Sequence, residues 1–204
     1  VCSSDLKKYA QVGARSGITA YEMTRRMLDA NGLTHVDVVH IGGNLTDNFN
    51  PKKQTISLSD PVYGSSSVAA LGVAAHEAGH AIQHAEGYFP LKLRSAIVPI
   101  TQFGSAITPW LIILGLIFSF PVLIDVGIVF FGLAVFFQLV TLPVEFNASR
   151  RALASLESAG VLAADELGMT KRVLSAAAMT YVAGLLVSLM SFLRILLLFG
   201  NRRK

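Results

Sequence analysis

An internal disulfide is excluded for this chain, because Cys2 is the only cysteine among its 204 residues. The same scarcity rules out a cysteine zinc cluster and suits a reducing compartment. Charge is also scarce: 15% of residues are Asp, Glu, Lys or Arg, against 52% hydrophobic, with a mean hydropathy of +0.55. A soluble domain carries more charge than this, so the chain reads as a membrane protein. Between Ile97 and Val144 there is no Lys or Arg, and Asp125 is the only charged side chain. The pI near 9.4 is accompanied by no aromatic and basic nucleic-acid motif. The basic excess is therefore assigned to membrane topology and attraction to anionic lipid, and no nucleic-acid partner is expected.

The uncharged stretch is long enough for two spans of ~20 residues each. It divides near Phe120-Pro121, with Asp125 in or close to the turn. One irregular helix kinked at Pro109 and Pro121 would greatly overshoot a bilayer, so a hairpin is the better reading. Ala177 to Phe199 makes a third span, and Arg194 near its end can snorkel to the headgroups. The expected organisation is a water-facing domain over 1–95, a transmembrane hairpin over 96–144, a helical segment over 145–176, and a third span with a basic tail over 177–204. Nine Lys or Arg precede the hairpin, and Arg150, Arg151, Lys171 and Arg172 follow it, while its turn has none. The positive-inside rule then places both water-facing segments in the cytoplasm. Three full crossings would put Arg202, Arg203 and Lys204 outside; a last helix that does not fully cross removes that conflict.

Residues 1–95 carry the signals of a small α+β domain. Thr19-Ala20-Tyr21-Glu22 is a capping box opening a helix that stops at Asn31-Gly32, with Ala20, Met23, Met27 and Leu28 as its core face. Two strand candidates follow, His35 to Ile41 and Gln54 to Leu58, joined by a turn-rich segment around Asp47-Asn48-Phe49-Asn50-Pro51. An exposed strand edge beside a catalytic helix could hold an extended peptide through its backbone.

That helix contains His76-Glu77-Ala78-Gly79-His80. Residues i and i+4 share a helix face, so His76 and His80 can offer imidazole nitrogens to one metal, with Glu77 beside the same ion. HExxH is thus two zinc ligands and a general base, the signature of a metallopeptidase. Zinc with a third ligand lowers the pKa of its water toward ~7, and Glu77 is placed to take the proton. The small-residue run from Ser65 to Ala75 leads into the motif, and Gly79 leaves room beside the metal.

The third ligand must come from elsewhere. His84 lies eight residues from His76, or ~12 Å along a helix, too far for both to share one ion. Asp125 is on the wrong side of the membrane, Asp165 and Glu166 sit in a polar helix-loop region, and Glu157 fits a solvated helix face. Glu145 is better placed, directly after the second span, where a hairpin returns the chain to the surface it left. Among donors for an oxyanion, Arg150, Arg151, Tyr63, Tyr88 and His40 are available types. His35 and His40 read as strand-surface residues, and Asn147, two residues from Glu145, points off that residue's face.

The segments VAAHEAGHAIQHAEGY (Val73 to Tyr88), PLKLRSAIVP (Pro90 to Pro99) and EFNASRRAL (Glu145 to Leu153) resemble the YugP-like family of bacterial membrane zinc metallopeptidases. SGITAYEMTRRMLDANGL and LTDNFNPKKQTISLS extend the likeness over nearly the whole chain. The resemblance implies a zincin-like domain at the cytoplasmic face of a bacterial inner membrane, with zinc held by His76, His80 and Glu145. It implies peptidase action on a protein or peptide, membrane proteins included, without naming a substrate. It also implies a membrane segment upstream of the soluble part; the chain begins at Val1 rather than Met, and a fragment or processed form is expected. More distantly, the chain resembles HtpX-like and CAAX-prenyl membrane proteases, which carry an Asp four residues after the ligand glutamate. Ser149 stands there instead, so their orienting carboxylate is absent, although a hydroxyl can still hydrogen-bond to a ligand.

Two other functions stand beside this one. An intramembrane zinc protease would bury HExxH in the bilayer, against which stand Ser65 to Ser67 before the metal helix, Gln83, His84 and Glu86 after it, and the lack of an LDG-like aspartate motif. A non-enzymatic scaffold would keep zinc for stability alone.

Overall fold

The computed structural model describes residues 2–200. The Cys2 side chain and the basic tail Arg202, Arg203 and Lys204 fall outside the described residues. The chain forms two compact units, one of Val1–Tyr88 with Val144–Thr180, the other of Phe89–Pro143 with Tyr181–Lys204.

The first unit opens with helices α1 (Cys2–Tyr9) and α2 (Ala20–Ala30). The capping box at α2 is complete: the Thr19 hydroxyl accepts from the Glu22 amide at 3.2 Å, and the Glu22 carboxylate accepts from the Thr19 amide at 3.1 Å. Two of the amides left unpaired at a helix start are thereby satisfied. Ala20, Met23, Met27 and Leu28 are all buried, as their 3.6-residue spacing predicts.

The sheet contains three strands, β1 (Asp37–Ile41), β2 (Asn48–Asn50) and β3 (Thr55–Ser59), in the order β1-β3-β2. β1 pairs parallel with β3, and β2 pairs antiparallel with it. The turn-rich reading of Asp47 to Pro51 is thus corrected: its middle is a short edge strand. Asn-Phe-Asn has little strand preference of its own, but Asp47 anchors it, accepting from the Ser59 amide at 2.8 Å and hydroxyl at 2.9 Å. At the other end of the sheet, β1 starts at Asp37, because the Val36 amide is drawn back to the Leu33 carbonyl in a turn that also contains His35. Ile56 and Leu58 of the central strand are fully buried.

After the short helix α3 (Asp60–Tyr63) comes α4 (Val68–Ala85), which carries HExxH. Ser67 caps it, accepting from the Ala70 amide at 3.2 Å. The small residues leading into the motif serve packing, for Ala70, Ala74, Ala75, Ala78 and Ala81 are all buried. The ends of two long helices complete this unit: α6 (Pro121–Ser158) beyond Pro143, and α7 (Ala164–Gly200) as far as Thr180. Residues 145–176 pack into the same core as α2 and α4 through Ala152, Leu156 and Leu174. Two glycines set how closely α4 meets these helices. A Cβ on Gly79 would stand 2.6 Å from the Ala148 carbonyl oxygen of α6, and one on Gly72 would stand 2.8 Å from Thr170 Cγ2 of α7.

The second unit consists of α5 (Phe89–Ile117) and the apolar parts of α6 and α7. All three helices are long and apolar enough to cross a membrane. α5 begins at Phe89, seven residues before position 96, where the hairpin is expected from sequence. The helix carrying the third apolar stretch starts at Ala164 rather than near 177. α5 and α6 are antiparallel, with Gly115 against Ile124, Gly127 against Ile112 and Gly104 against Phe130. Ser119 makes the turn between them at φ 52°, Pro121 opens α6, and Asp125 lies within its first turns. Close approach at small residues is how helices associate where apolar surroundings remove the hydrophobic drive. Large apolar side chains point outward, including Trp110, Phe118, Val129 and Leu197, each more than 60% exposed, as a lipid-facing surface requires. Thr101, Thr108 and Thr141 return their hydroxyls to carbonyls one turn back.

Gly79→Ala is expected to destabilise the protein by about 1–3 kcal/mol, because a backbone carbonyl has to move. Gly168→Ala, exposed in α7 with nothing within 4 Å of the added carbon, is expected to stabilise it by about 0.5–1 kcal/mol. Denaturant unfolding of the two variants in detergent checks both signs.

Candidate metal centre

Two pairs of side chains, each spaced i and i+4, meet across the α4–α6 contact. His76 and His80 come from α4; Glu145 and Ser149 come from α6. Between the pairs lies the Gly79–Ala148 contact, one residue before His80 and one before Ser149. The ligand atoms of His76, His80 and Glu145 all fall within 4.8 Å of one another. Glu145 Oε2 is 3.3 Å from His76 Nε2 and 3.8 Å from His80 Nε2. These separations are long for charge-assisted hydrogen bonds, and the shorter matches the edge, about 3.3 Å, of a tetrahedron with zinc-ligand arms of ~2.0–2.1 Å. Two imidazoles and a carboxylate, converging and largely buried, fit zinc or a similar divalent ion.

The outer nitrogens of both imidazoles are engaged. His76 Nδ1 is 3.1 Å from the Ser149 hydroxyl. His80 Nδ1 is 3.0 Å from Gln83 Oε1. Gln83 is fully buried; its amide nitrogen donates to the Val144 carbonyl at 2.9 Å and to Asn147 Oδ1 at 2.8 Å. Asn147 also accepts from Arg151 Nε at 2.7 Å, and Arg151 is paired with Glu86 at 2.7 Å. Asn147 is therefore a buried junction beneath the site, rather than a residue at the border of a cleft. Sequence reasoning treated Gln83 only as a polar residue after the motif. Its position three residues past His80, on the same helix face, was the available signal.

Glu77 is half-buried beside these residues and takes up no hydrogen bond among the described residues. Burial of His80 disfavours its charged form. The nearby Glu145 carboxylate, the charge of Glu77 and the bond to Gln83 outweigh that penalty and raise its pKa above the usual histidine value.

The remaining candidates lie apart from this group. His84 is exposed, its ring 5.8 Å from that of Phe49 on β2. Asp165 pairs with Arg15, Glu166 is buried and accepts from the amides of Arg15 and Ala163, and Glu157 is exposed. His40 is bonded to Asp60 at 2.7 Å and packs on Tyr63, which in turn packs on Tyr21. Arg151 is engaged by Glu86 and Asn147.

Residues 1–200 match the family described as "Putative neutral zinc metallopeptidase". The chain is 48% identical over 200 residues to the "Putative membrane protease YugP" of Bacillus subtilis (strain 168), an alignment covering 98% of this chain and 89% of that protein. The chain belongs to this zinc metallopeptidase family. No solved structure matches it.

Glu145→Ala is expected to lower zinc occupancy after purification far more than His84→Ala. Metal analysis of both variants checks the ligand set, and the reverse order would overturn it.

Proposed function

We propose that this protein is a membrane-bound zinc metallopeptidase that hydrolyses peptide bonds at the cytoplasmic membrane surface, with His76, His80 and Glu145 as zinc ligands and Glu77 as general base. The observation that carries the reading is the convergence of three ligand-type side chains from α4 and α6 beside the half-buried Glu77 carboxylate. Zinc held by these residues would make water nucleophilic near neutral pH and polarise a carbonyl oxygen. Glu77 would serve as the base that takes a proton from the attacking water and returns it to the leaving amine. Ser149 and Gln83 hold the two imidazoles in orientation.

The small sheet beside an HExxH helix is zincin-like. Its edges are β1 and β2, and β2 is the one next to α4, where Phe49 meets His84. The backbone of β2 is accordingly assigned as the strand that holds an extended substrate. A protein or peptide is the substrate, with membrane proteins and membrane lipid as the partners that the apolar helices bring near. The basic residues on both sides of the hairpin favour an active site facing the cytoplasm of a bacterial inner membrane.

All site residues belong to the unit containing the sheet and α1 to α4, which favours the surface reading over an intramembrane one. Single cysteines placed across residues 64 to 88 are expected to react with a water-soluble thiol reagent from the cytoplasmic side; protection throughout would favour the intramembrane protease. Glu77→Gln is expected to retain zinc and lose about 10²–10⁴-fold in peptide hydrolysis. Proteolysis profiling of membranes with the intact protein and this variant tests it. An unchanged profile and phenotype with zinc retained would favour the scaffold.

A further inference from the structure

The hydrogen bonds beneath the metal centre determine more than orientation. An arginine guanidinium only donates, and a main-chain carbonyl only accepts. Arg151 Nε faces Asn147 at 2.7 Å, so the Asn147 atom there is its oxygen. That same oxygen is 2.8 Å from the Gln83 side-chain amide, so the Gln83 atom facing it is nitrogen. The Val144 carbonyl, 2.9 Å from the same Gln83 atom, imposes the identical choice independently. Both hydrogens of the Gln83 amide are then committed, and only its oxygen remains to face His80 Nδ1 at 3.0 Å. An oxygen there requires a hydrogen on Nδ1, which leaves Nε2, the nitrogen toward Glu145, as the one that exchanges its hydrogen for a metal.

We infer that Gln83 is a positioning residue that fixes the hydrogen of His80 on Nδ1, oriented from behind by Val144, Asn147 and Arg151. This rests on the zinc-ligand reading of His80. At the other imidazole the Ser149 hydroxyl facing His76 Nδ1 can donate or accept, so the group behind that ring does not by itself fix a tautomer, while Nε2 faces the Glu145 carboxylate at 3.3 Å. The two histidines of one HExxH motif therefore differ in what stands behind them. Gln83 is fully buried, and its amide is held on both sides, by Val144 and Asn147 and by His80, with Arg151 paired to Glu86 at the outer end.

The test uses the full chain in detergent with ¹⁵N-labelled histidine, and zinc affinity measured by chelator competition. The wild-type protein is expected to show a slowly exchanging Nδ1–H on His80 with and without zinc. Gln83→Leu is expected to lose that signal and to bind zinc about 10–100-fold more weakly, with metal-free unfolding otherwise cooperative. His84→Ala, an exposed residue outside this set of bonds, is expected to keep the signal and to keep zinc affinity within about twofold; loss of the signal there would overturn the assignment to Gln83. An unprotonated Nδ1 in the metal-free wild type would overturn the inference whether or not any variant folds. Wild-type zinc affinity in folded Gln83→Leu would overturn it while leaving the ligand set intact. Failure of the wild type to bind zinc would overturn both.

Discussion

The approach of α4 to α6 at Gly79 and Ala148 is the contact on which the rest of the site depends. A glutamate side chain is short, so Glu145 can reach two imidazoles on another helix only if the two backbones nearly touch. Gly79 permits that, with its Cα against a carbonyl that any side chain would strike at 2.6 Å. The i and i+4 spacing on each helix then does the remaining work, because His76 with His80 and Glu145 with Ser149 straddle the contact. Gly72 against Thr170 sets a second close approach on the same helix, to α7. With α4 fixed against two helices and β2 at its side, the HExxH residues have a rigid base.

The second unit obeys the same packing rule for a different reason. Among apolar surroundings there is little to gain by burying leucine against leucine, so α5, α6 and α7 meet at Gly104, Gly115, Gly127 and Gly132, where backbones come close and dispersion accumulates. Their larger apolar side chains are left on the outside. Polar groups within the unit are few and mostly answered locally, by threonine hydroxyls bonding back along their own helix and by Gln138 donating to Ser188 at 2.9 Å. α6 belongs to both units, so one continuous helix carries a bilayer-length apolar run and, two residues past Pro143, the carboxylate of the metal group.

Much of this architecture was legible in the residues. The capping box of α2 and its core face, the break between the two apolar helices before Pro121, and the apolar length of all three long helices follow from local chemistry with few competing solutions. Other features were not local. β2 is three residues of turn-forming composition, made a strand by Asp47 and by the register of β3. Asn147 does point away from the face of Glu145, as helical spacing requires, but that direction leads to Gln83 rather than to solvent, which no periodicity in α6 could reveal. α7 begins at Ala164, since its first turns are polar and are held by Arg15, a residue about 150 positions earlier in the chain.

The sequence by itself determined the chemistry on offer: two histidines and a glutamate one helical turn apart, an apolar content that only a bilayer matches, and a second glutamate at the end of an apolar run. Tertiary structure decided which carboxylate joins the histidines and what stands behind His80 Nδ1. The first depends on how closely two helices approach, set by one missing Cβ and a facing carbonyl. The second depends on a donor and acceptor pattern running from Glu86 through Arg151, Asn147 and Gln83 to His80. Both are properties of residues 61 to 73 positions apart brought into contact, and spacing along a chain carries no information about them.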